Sequence, residues 1–190
     1  MNPIIGLEAL VTAEQTADTS SALTYGTIEP IEGLVDVQLE DSSADSEPKY
    51  ADNAEKFRLF KQAKMKLTIE LLATEIATLA KFYGHTTASG VTTKKDSDTP
   101  PYRAFGFKAD DGAGNQDGIW LKKCIPVKRT NGMTYHTKEG DNTAVQTVKV
   151  EFECIPTIKD KEYQAMCNSG DAAMSATWAT WFATVPGVTT

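Results

Sequence analysis

The sequence predicts a mainly β protein, an antiparallel β-sandwich or open barrel with flanking α-helices. Apolar and polar side chains alternate over residues 64–71 and again over 147–154, which is the period of a strand with one buried and one wet face. The predicted strands are not interleaved with helices, as they would be around a parallel sheet. A chain of 190 residues can bury a proper core, and we predict a single domain, 1–190.

The first third of the chain predicts strands separated by polar connections. Residues 4–13 form the first predicted strand, and residues 35–40 form the second. In the second strand the odd positions are apolar, so Val35 is expected to face the core. Residues 41–60 then make a long inter-strand loop, in which Pro48 excludes regular helix. Long polar loops between strands of a compact domain are usually either functional or disordered.

A short helix is predicted directly after the 64–72 strand. Four apolar residues recur at helical spacing: Leu72, Ile76, Leu79 and Tyr83. Gly84 follows them and supplies a C-terminal stop, because glycine readily adopts the left-handed conformation that ends helices. We therefore expect one apolar face of this helix to pack on the sheet.

The second half of the chain predicts three more strands and a last helix. Strands at 102–108 and 119–125 flank a glycine-rich hairpin loop, 110–118. A polar excursion over 126–143 and a strand at 145–155 follow. A C-terminal helix, 171–185, opens at Asp171. Its apolar stripe is expected to dock on the sheet: Met174, Trp178, Trp181, Phe182 and Val185.

The bulk composition bounds the class of protein. The net charge of −7 argues against sequence-independent DNA binding, which needs cations to neutralise phosphates. No apolar run is long enough to span a bilayer and no signal peptide is visible, so we expect no membrane partner and folding in a cytoplasm. Of the three cysteines, Cys124, Cys154 and Cys167, two lie inside predicted strands or beside a strand end, where buried reduced thiols are common, and a disulfide framework is not expected.

The sequence carries no catalytic or metal-binding signature. The 110–118 loop lacks the Gly-Lys-Ser/Thr ending of a P-loop and the acid spacing of a calcium loop. The histidines, His85 and His136, are far apart, and no nucleophile elbow is present. We predict no enzymatic activity, no metal and no cofactor. A metal site built from both histidines and a cysteine, or a hydrolase site assembled in space, stays open.

Opposite charges are segregated within one segment. Acidic side chains dominate 41–55 and basic side chains dominate 56–66. One interpretation is a solvated loop, and the other is a self-complementary arm that contacts a second copy of the chain. Eight residues are the candidate inter-subunit or inter-ring contacts: Asp41, Asp45, Glu47, Asp52, Glu55, Lys56, Arg58 and Lys61.

Taken in order along the chain, several segments resemble the major tail protein of long-tailed, non-contractile bacteriophages, which is the subunit of the tail tube. The segments are Gly6-Leu7, Thr24-Tyr25-Gly26-Thr27, Leu34–Leu39 with Lys49–Asn53, the 64–72 strand with Tyr83-Gly84-His85, Pro101–Lys108, Ile119–Lys122 and Trp178–Phe182. They cover most of the chain. None is a catalytic signature, so the specificity of the resemblance rests on their order and spacing.

The resemblance implies the β-sandwich of the phage tail-tube type and a structural virion protein. Such subunits self-assemble into hexameric rings, and the stacked rings form a hollow tail tube through which DNA passes without specific binding. A long loop reaches the neighbouring ring, and 41–60 occupies the matching place. The implied partners are other copies of the chain and the tape-measure, tail terminator and baseplate or initiator proteins. The implied localisation is the virion, after synthesis in a bacterial host cytoplasm.

Three other functions remain open at this point. The chain could be a tube or baseplate component of a phage-derived injection or secretion device. It could be a small β-sandwich module that binds carbohydrate or protein, or an unrecognised hydrolase. The sequence also leaves open which of the alternating strands would face a lumen, because their polar faces look alike.

Overall fold

The structure is a computed structural model that describes residues 6–42, 45–72, 76–130, 132 and 147–189. It is mainly β with two short helices, which confirms the predicted fold class. The strands are β1 (Gly6–Asp18), β2 (Leu23–Tyr25), β3 (Glu29–Ile31), β4 (Leu34–Asp41), β5 (Glu47–Ala51), β6 (Ala54–Leu59), β7 (Met65–Leu71), β8 (Thr86–Ala88), β9 (Val91–Thr93), β10 (Arg103–Asp110), β11 (Gln116–Pro126), β12 (Val148–Cys154) and β13 (Gln164–Asn168). The α-helices are α1 (Ile76–Tyr83) and α2 (Ser175–Trp178).

Nine of these strands form one antiparallel sheet in the order β2-β1-β10-β11-β12-β7-β4, with β13 also paired to β11 and β3 to β1. The sheet is curled, because β3 pairs with β1 near one end while β4, at the other end, follows β3 after only two residues. The result is an open barrel. Two hairpins, β5–β6 and β8–β9, form separate small sheets.

The main core lies between the curled sheet and α1. Three aromatic rings meet at its centre, with centroids 5.7 Å apart for Phe82 and Phe105, 5.5 Å for Phe82 and Phe152, and 4.5 Å for Phe105 and Phe152. Edge-on and tilted aromatic pairs of this kind stabilise a fold by about 0.5–1.5 kcal/mol beyond the area that they bury. They fix α1 against β10 and β12.

The predicted helix stripe is half right. Leu79 and Tyr83 are buried and Gly84 ends the helix with a φ of 70°, but Ile76 and Leu72 are exposed. The helix begins only at Ile76, so Leu72 precedes it, and Ile76 lies in its first turn. The buried face is instead completed by Phe82, which the predicted stripe leaves out.

A β-bulge changes the predicted orientation in β4. The register against β7 shifts between Leu34 and Asp36, so that Val35 has no counterpart on the neighbouring strand. An extra residue in one strand interrupts the alternation of side chains. Val35 is consequently exposed, whereas Val37 and Leu39 pack against the main core as predicted.

The glycine-rich hairpin loop is confirmed. It connects β10 to β11, and the Asp111 carboxylate accepts hydrogen bonds from the backbone N–H groups of Ala113 (2.8 Å) and Asn115 (3.0 Å). An aspartate that satisfies the backbone in this way stabilises a tight turn. Most of the predicted 126–143 excursion, including His136, lies outside the described residues.

The predicted C-terminal helix, 171–185, is much shorter in the structure. A 3₁₀ turn over Ala172–Met174 and one α-helical turn, α2, are followed by further turns. Asp171 does cap the start, because its carboxylate accepts the Ala173 N–H at 2.9 Å. The indole N–H of Trp120 donates a hydrogen bond to the Trp181 carbonyl at 3.0 Å. This carbonyl therefore bonds to the sheet and does not continue a helix.

This C-terminal segment covers the second face of β10 and β11. Trp181, Phe182 and Val185 pack there around the fully buried Trp120. The two strands are therefore buried on both faces, while β4, β7 and β12 keep one face in water.

We expect Gly118→Ala to destabilise the fold by about 1–3 kcal/mol, which is typical of overpacking. A Cβ at this position would lie 2.6 Å from Trp181 Nε1 and 2.8 Å from Trp178 Cζ3, so both indole rings would have to move. Urea unfolding measures the loss. Gly132→Ala is the control, because a Cβ there meets no atom of the described residues within 4 Å, its chain neighbours aside; equal midpoints for the two variants would contradict the prediction.

Cys124 and Cys154 are joined by a disulfide, and Cys167 is free. The expectation of buried reduced thiols in the strands, with no disulfide, is therefore wrong for Cys124 and Cys154. The two residues are 30 positions apart in the chain, but antiparallel pairing of β11 with β12 places them directly opposite each other. Only the strand register reveals this proximity.

Candidate assembly surfaces

The two alternating strands predicted from the sequence share one charged surface. β7 pairs with β12 on one side and with β4 on the other, so their outward side chains form three rows. We call this surface the polar face: Glu40, Lys66 and Glu153; Gln38, Thr68 and Glu151; Asp36, Glu70 and Lys149. The opposite side chains of β7 and β12 enter the main core.

Ion pairs organise the polar face. The N–O distances are 2.8 Å for Lys66 with Glu151, 3.0 Å for Lys149 with Glu70, and 2.6 Å for the adjoining Lys64 with Glu153. Hydrogen bonding to Lys66 lowers the pKa of Glu151. Because the pairs are solvent-accessible, each contributes little to the stability of the fold.

The polar face carries more negative than positive charge. It holds five carboxylates and two lysines, and both lysines are paired with carboxylates on the same face. A polyanion passing over this surface would find no unpaired cation among these nine residues. The arrangement repels nucleic acid rather than retaining it.

Next to this sheet, β5 and β6 form a hairpin, which we call the arm (residues 45–61). The predicted 41–60 loop is therefore largely a two-stranded hairpin. Its turn residues, Asp52 and Asn53, have φ values of 54° and 59°, as a two-residue hairpin turn requires. Asp41 closes β4, and residues 43–44 lie outside the described part of the chain.

The predicted contact residues of the arm neutralise one another within a single copy. The ion pairs are Lys56 with Asp52 (3.5 Å), Arg58 with Glu55 (3.0 Å) and Lys61 with Glu47 (2.9 Å). Hydrogen bonds from Lys61 and Lys49 lower the pKa of Glu47. The hydrogen bond to Glu47 raises the pKa of Lys61, and the charge of Asp45 adds a smaller contribution. Acidic and basic side chains of the two charge blocks thus pair with each other within the arm.

Sequence reasoning missed the apolar residues of the arm. Four large side chains, which we call the arm patch, are strongly exposed: Tyr50 (67%), Phe57 (56%), Leu59 (47%) and Phe60 (82%). Aromatic residues embedded in a charge run were the available signal. Large apolar side chains grouped on a projecting element mark a contact surface.

One edge of the sheet is also open. β4 is the last strand of the hydrogen-bonded path, so its outer edge has no strand partner among the described residues. Unpaired N–H and C=O groups along such an edge can template pairing with another chain. The open edge borders the polar face directly.

The structure brings one histidine and one acid together away from these surfaces. His85 Nδ1 lies 2.7 Å from Asp98 Oδ2, and the His85 ring stacks on Tyr83. Backbone and histidine hydrogen bonds lower the pKa of Asp98. In the described part of the chain no group of three or more His, Cys, Asp or Glu side chains could hold a metal ion.

No protein-family model matches the chain, and no curated protein matches it either. Among the described residues, neither helix is long and apolar enough to cross a bilayer. What these candidate surfaces can bind therefore follows from their own chemistry.

Proposed function

We propose that this chain is a structural virion protein, without enzymatic activity, that self-assembles into stacked hexameric rings and forms the hollow tail tube of a phage. The observation that carries the proposal is the polar face: three adjacent strands with a dry core behind them, paired charges in front and an open sheet edge beside them. This combination suits the wall of a water-filled channel.

Ring closure would use the open edge. A neighbouring subunit that pairs with β4 satisfies the free backbone groups and extends the polar face into a continuous inner barrel. The excess of carboxylates over lysines then gives a lumen along which DNA slides without adhering. The tape-measure, tail terminator and baseplate or initiator proteins would be the further partners of such a tube.

The arm would join one ring to the next. Its charges are paired within the copy, which leaves the arm patch as the surface that gains most from a partner. Burial of apolar surface contributes about 25 cal/mol per Å², so four large side chains can supply the main driving force for stacking.

Negative-stain electron microscopy of the purified protein at low and high concentration tests the proposal. Hollow tubes or rings of uniform width are the expected result. A subunit that needs an initiator would stay dispersed until a tail initiator complex is added. Dispersed monomers at high concentration, even with that complex present, would overturn the proposal.

Adding cations to the polar face should convert a passive channel wall into one that retains DNA. We expect Gln38→Lys with Thr68→Lys, two changes in the middle row, to leave tube formation intact and to give salt-sensitive DNA binding. A filter-binding assay at two salt concentrations measures it. The same two lysines placed at Thr87 and Thr92 of the β8–β9 hairpin are the control; equal binding by both variants would contradict a lumenal polar face.

A further inference from the structure

A narrow junction between β11 and β12 interrupts the middle of the nine-stranded sheet. Three residue pairs join β11 to β12, from Cys124–Cys154 to Pro126–Phe152, whereas seven join β12 to β7 and eight join β1 to β10. Along the hydrogen-bonded path of the described strands, this junction alone connects β12, β7 and β4 to the other strands.

The disulfide lies within this junction. The flanking backbone hydrogen bonds, Ile155 N–H to Lys123 O and Val127 N–H to Glu151 O, are both 2.9 Å long. They make Cys124 and Cys154 a non-hydrogen-bonded pair, the type in which facing Cα atoms are closest. The Cα atoms are 4.0 Å apart, so the bond forms with the strands in register.

Both cysteines of the pair are fully buried, whereas Cys167 lies on β13 and is partly accessible. Burial means that a small thiol or disulfide can reach the pair only when the junction opens. The redox state of the pair is thereby coupled to the separation of β11 from β12.

We propose that Cys124 and Cys154 are a redox-controlled lock on the β11–β12 junction. Where reducing thiols are abundant, both cysteines are thiols and only non-covalent contacts hold β11 to β12. Where oxidised low-molecular-weight disulfides prevail, the Cys124–Cys154 disulfide forms and joins the two strands covalently. The lock does not depend on the tail-tube proposal, because it acts on the fold of a single copy.

The chemistry is thiol–disulfide exchange. One cysteine thiolate attacks an oxidised small-molecule disulfide, which releases one small thiol and leaves a mixed disulfide on the protein. The second cysteine thiolate displaces the other small thiol. Two protein thiols are oxidised and one small disulfide is reduced to two thiols, so the electrons balance.

Sealing the junction should stabilise the half of the sheet that bears the polar face. The bond closes a loop across 30 positions and so lowers the conformational entropy of the unfolded chain. A disulfide that closes a loop of this size typically raises the free energy of unfolding. It also prevents β12 from leaving β11, so that local opening of β12, β7 and β4 becomes rarer.

The test compares the full chain in a thiol reductant with the same protein held in oxidised glutathione until its alkylation pattern stops changing. Mass spectrometry after alkylation in denaturant should find three modified cysteines in the first sample and Cys167 alone in the second. We expect reduction to lower the Tm by about 5–15 °C. Backbone amides of Val148–Cys154 should exchange roughly tenfold faster after reduction, while those of β1 and β10 stay unchanged.

Two variants separate the lock from general effects of reductant. Cys167→Ser should keep the full redox response, and Cys124→Ala with Cys154→Ala should lose it. If the double variant does not fold, the comparison of reduced and oxidised wild-type protein still decides. Three free thiols after the oxidising incubation would overturn the proposal, and so would a disulfide whose reduction changes neither the Tm nor exchange in β12.

Discussion

Replacing Phe57 and Phe60 by aspartate should leave the subunit folded and prevent it from forming tubes. Both side chains are largely exposed, at 56% and 82%, so their loss removes nothing from either core. In a ring-to-ring contact, however, each aspartate would have to be desolvated without a partner, which is costly. We expect at least a tenfold rise in the protein concentration needed for assembly, equivalent to about 1.4 kcal/mol or more per contact.

Sedimentation velocity and electron microscopy measure the assembly, and circular dichroism verifies the fold. Val91→Asp is the matched control, because it adds a charge at an exposed apolar residue on β9, away from the arm. Wild-type tubes from the double aspartate variant would show that the arm patch is not an assembly contact.

A second variant distinguishes apolar from ionic stacking. The charge segregation in the sequence predicts that reversing Lys56, Arg58 and Lys61 to acids blocks stacking without unfolding the subunit. The structure pairs all three with carboxylates of the same arm, so reversal also disturbs the hairpin itself. Normal tubes from the reversed variant, together with none from the aspartate variant, would assign the contact to the arm patch.

Asp18→Ala should be among the most destabilising single changes in the protein. Lys123 Nζ lies 2.6 Å from Asp18 Oδ2, and the two side chains are only 8% and 5% exposed. The same carboxylate accepts the Ile158 N–H at 2.8 Å and the Lys159 N–H at 3.3 Å. Removing it leaves a buried ammonium group and two backbone donors without their acceptor, at a cost of about 3–5 kcal/mol.

Chemical unfolding in urea measures this loss. Glu47→Ala is the control, since it removes an ion pair with Lys61 that lies in solvent and should change the stability far less than Asp18→Ala. Asp18→Asn combined with Lys123→Met removes both charges but keeps an oxygen acceptor for the two backbone N–H groups, and it should recover much of the stability. A loss below about 1 kcal/mol for Asp18→Ala would mean that water reaches the pair.

Local sequence patterns predicted the strands better than their partners. The alternation over 64–71 and 147–154 follows from a two-residue repeat that every exposed sheet must obey, and both segments are strands in the structure. That the two strands are neighbours, so that their charged sides merge into the polar face, depends on register. Register is a long-range property that no window of sequence contains.

The arm shows the same division. Charge segregation predicted 41–60 as a candidate contact with other subunits, and the turn residues Asp52 and Asn53 favour a hairpin. Whether these charges pair within one arm or with a second copy depends on which side chains the hairpin brings next to each other. The structure pairs them within the arm and leaves the aromatic residues outside.

Fold class, the principal strands and the turn at Asp111 were encoded locally, because periodicity and turn chemistry act over a few residues. The exposed Val35, the shortened C-terminal helix and the Cys124–Cys154 bond were decided by packing between distant segments. A bulge shifts the register of β4 and exposes Val35. The Trp120 indole N–H donates a hydrogen bond to a carbonyl of the C-terminal segment, and antiparallel pairing of β11 with β12 brings the two sulfurs together. Each of these outcomes depends on which segments become neighbours in space, and that is set by burying the whole core at once.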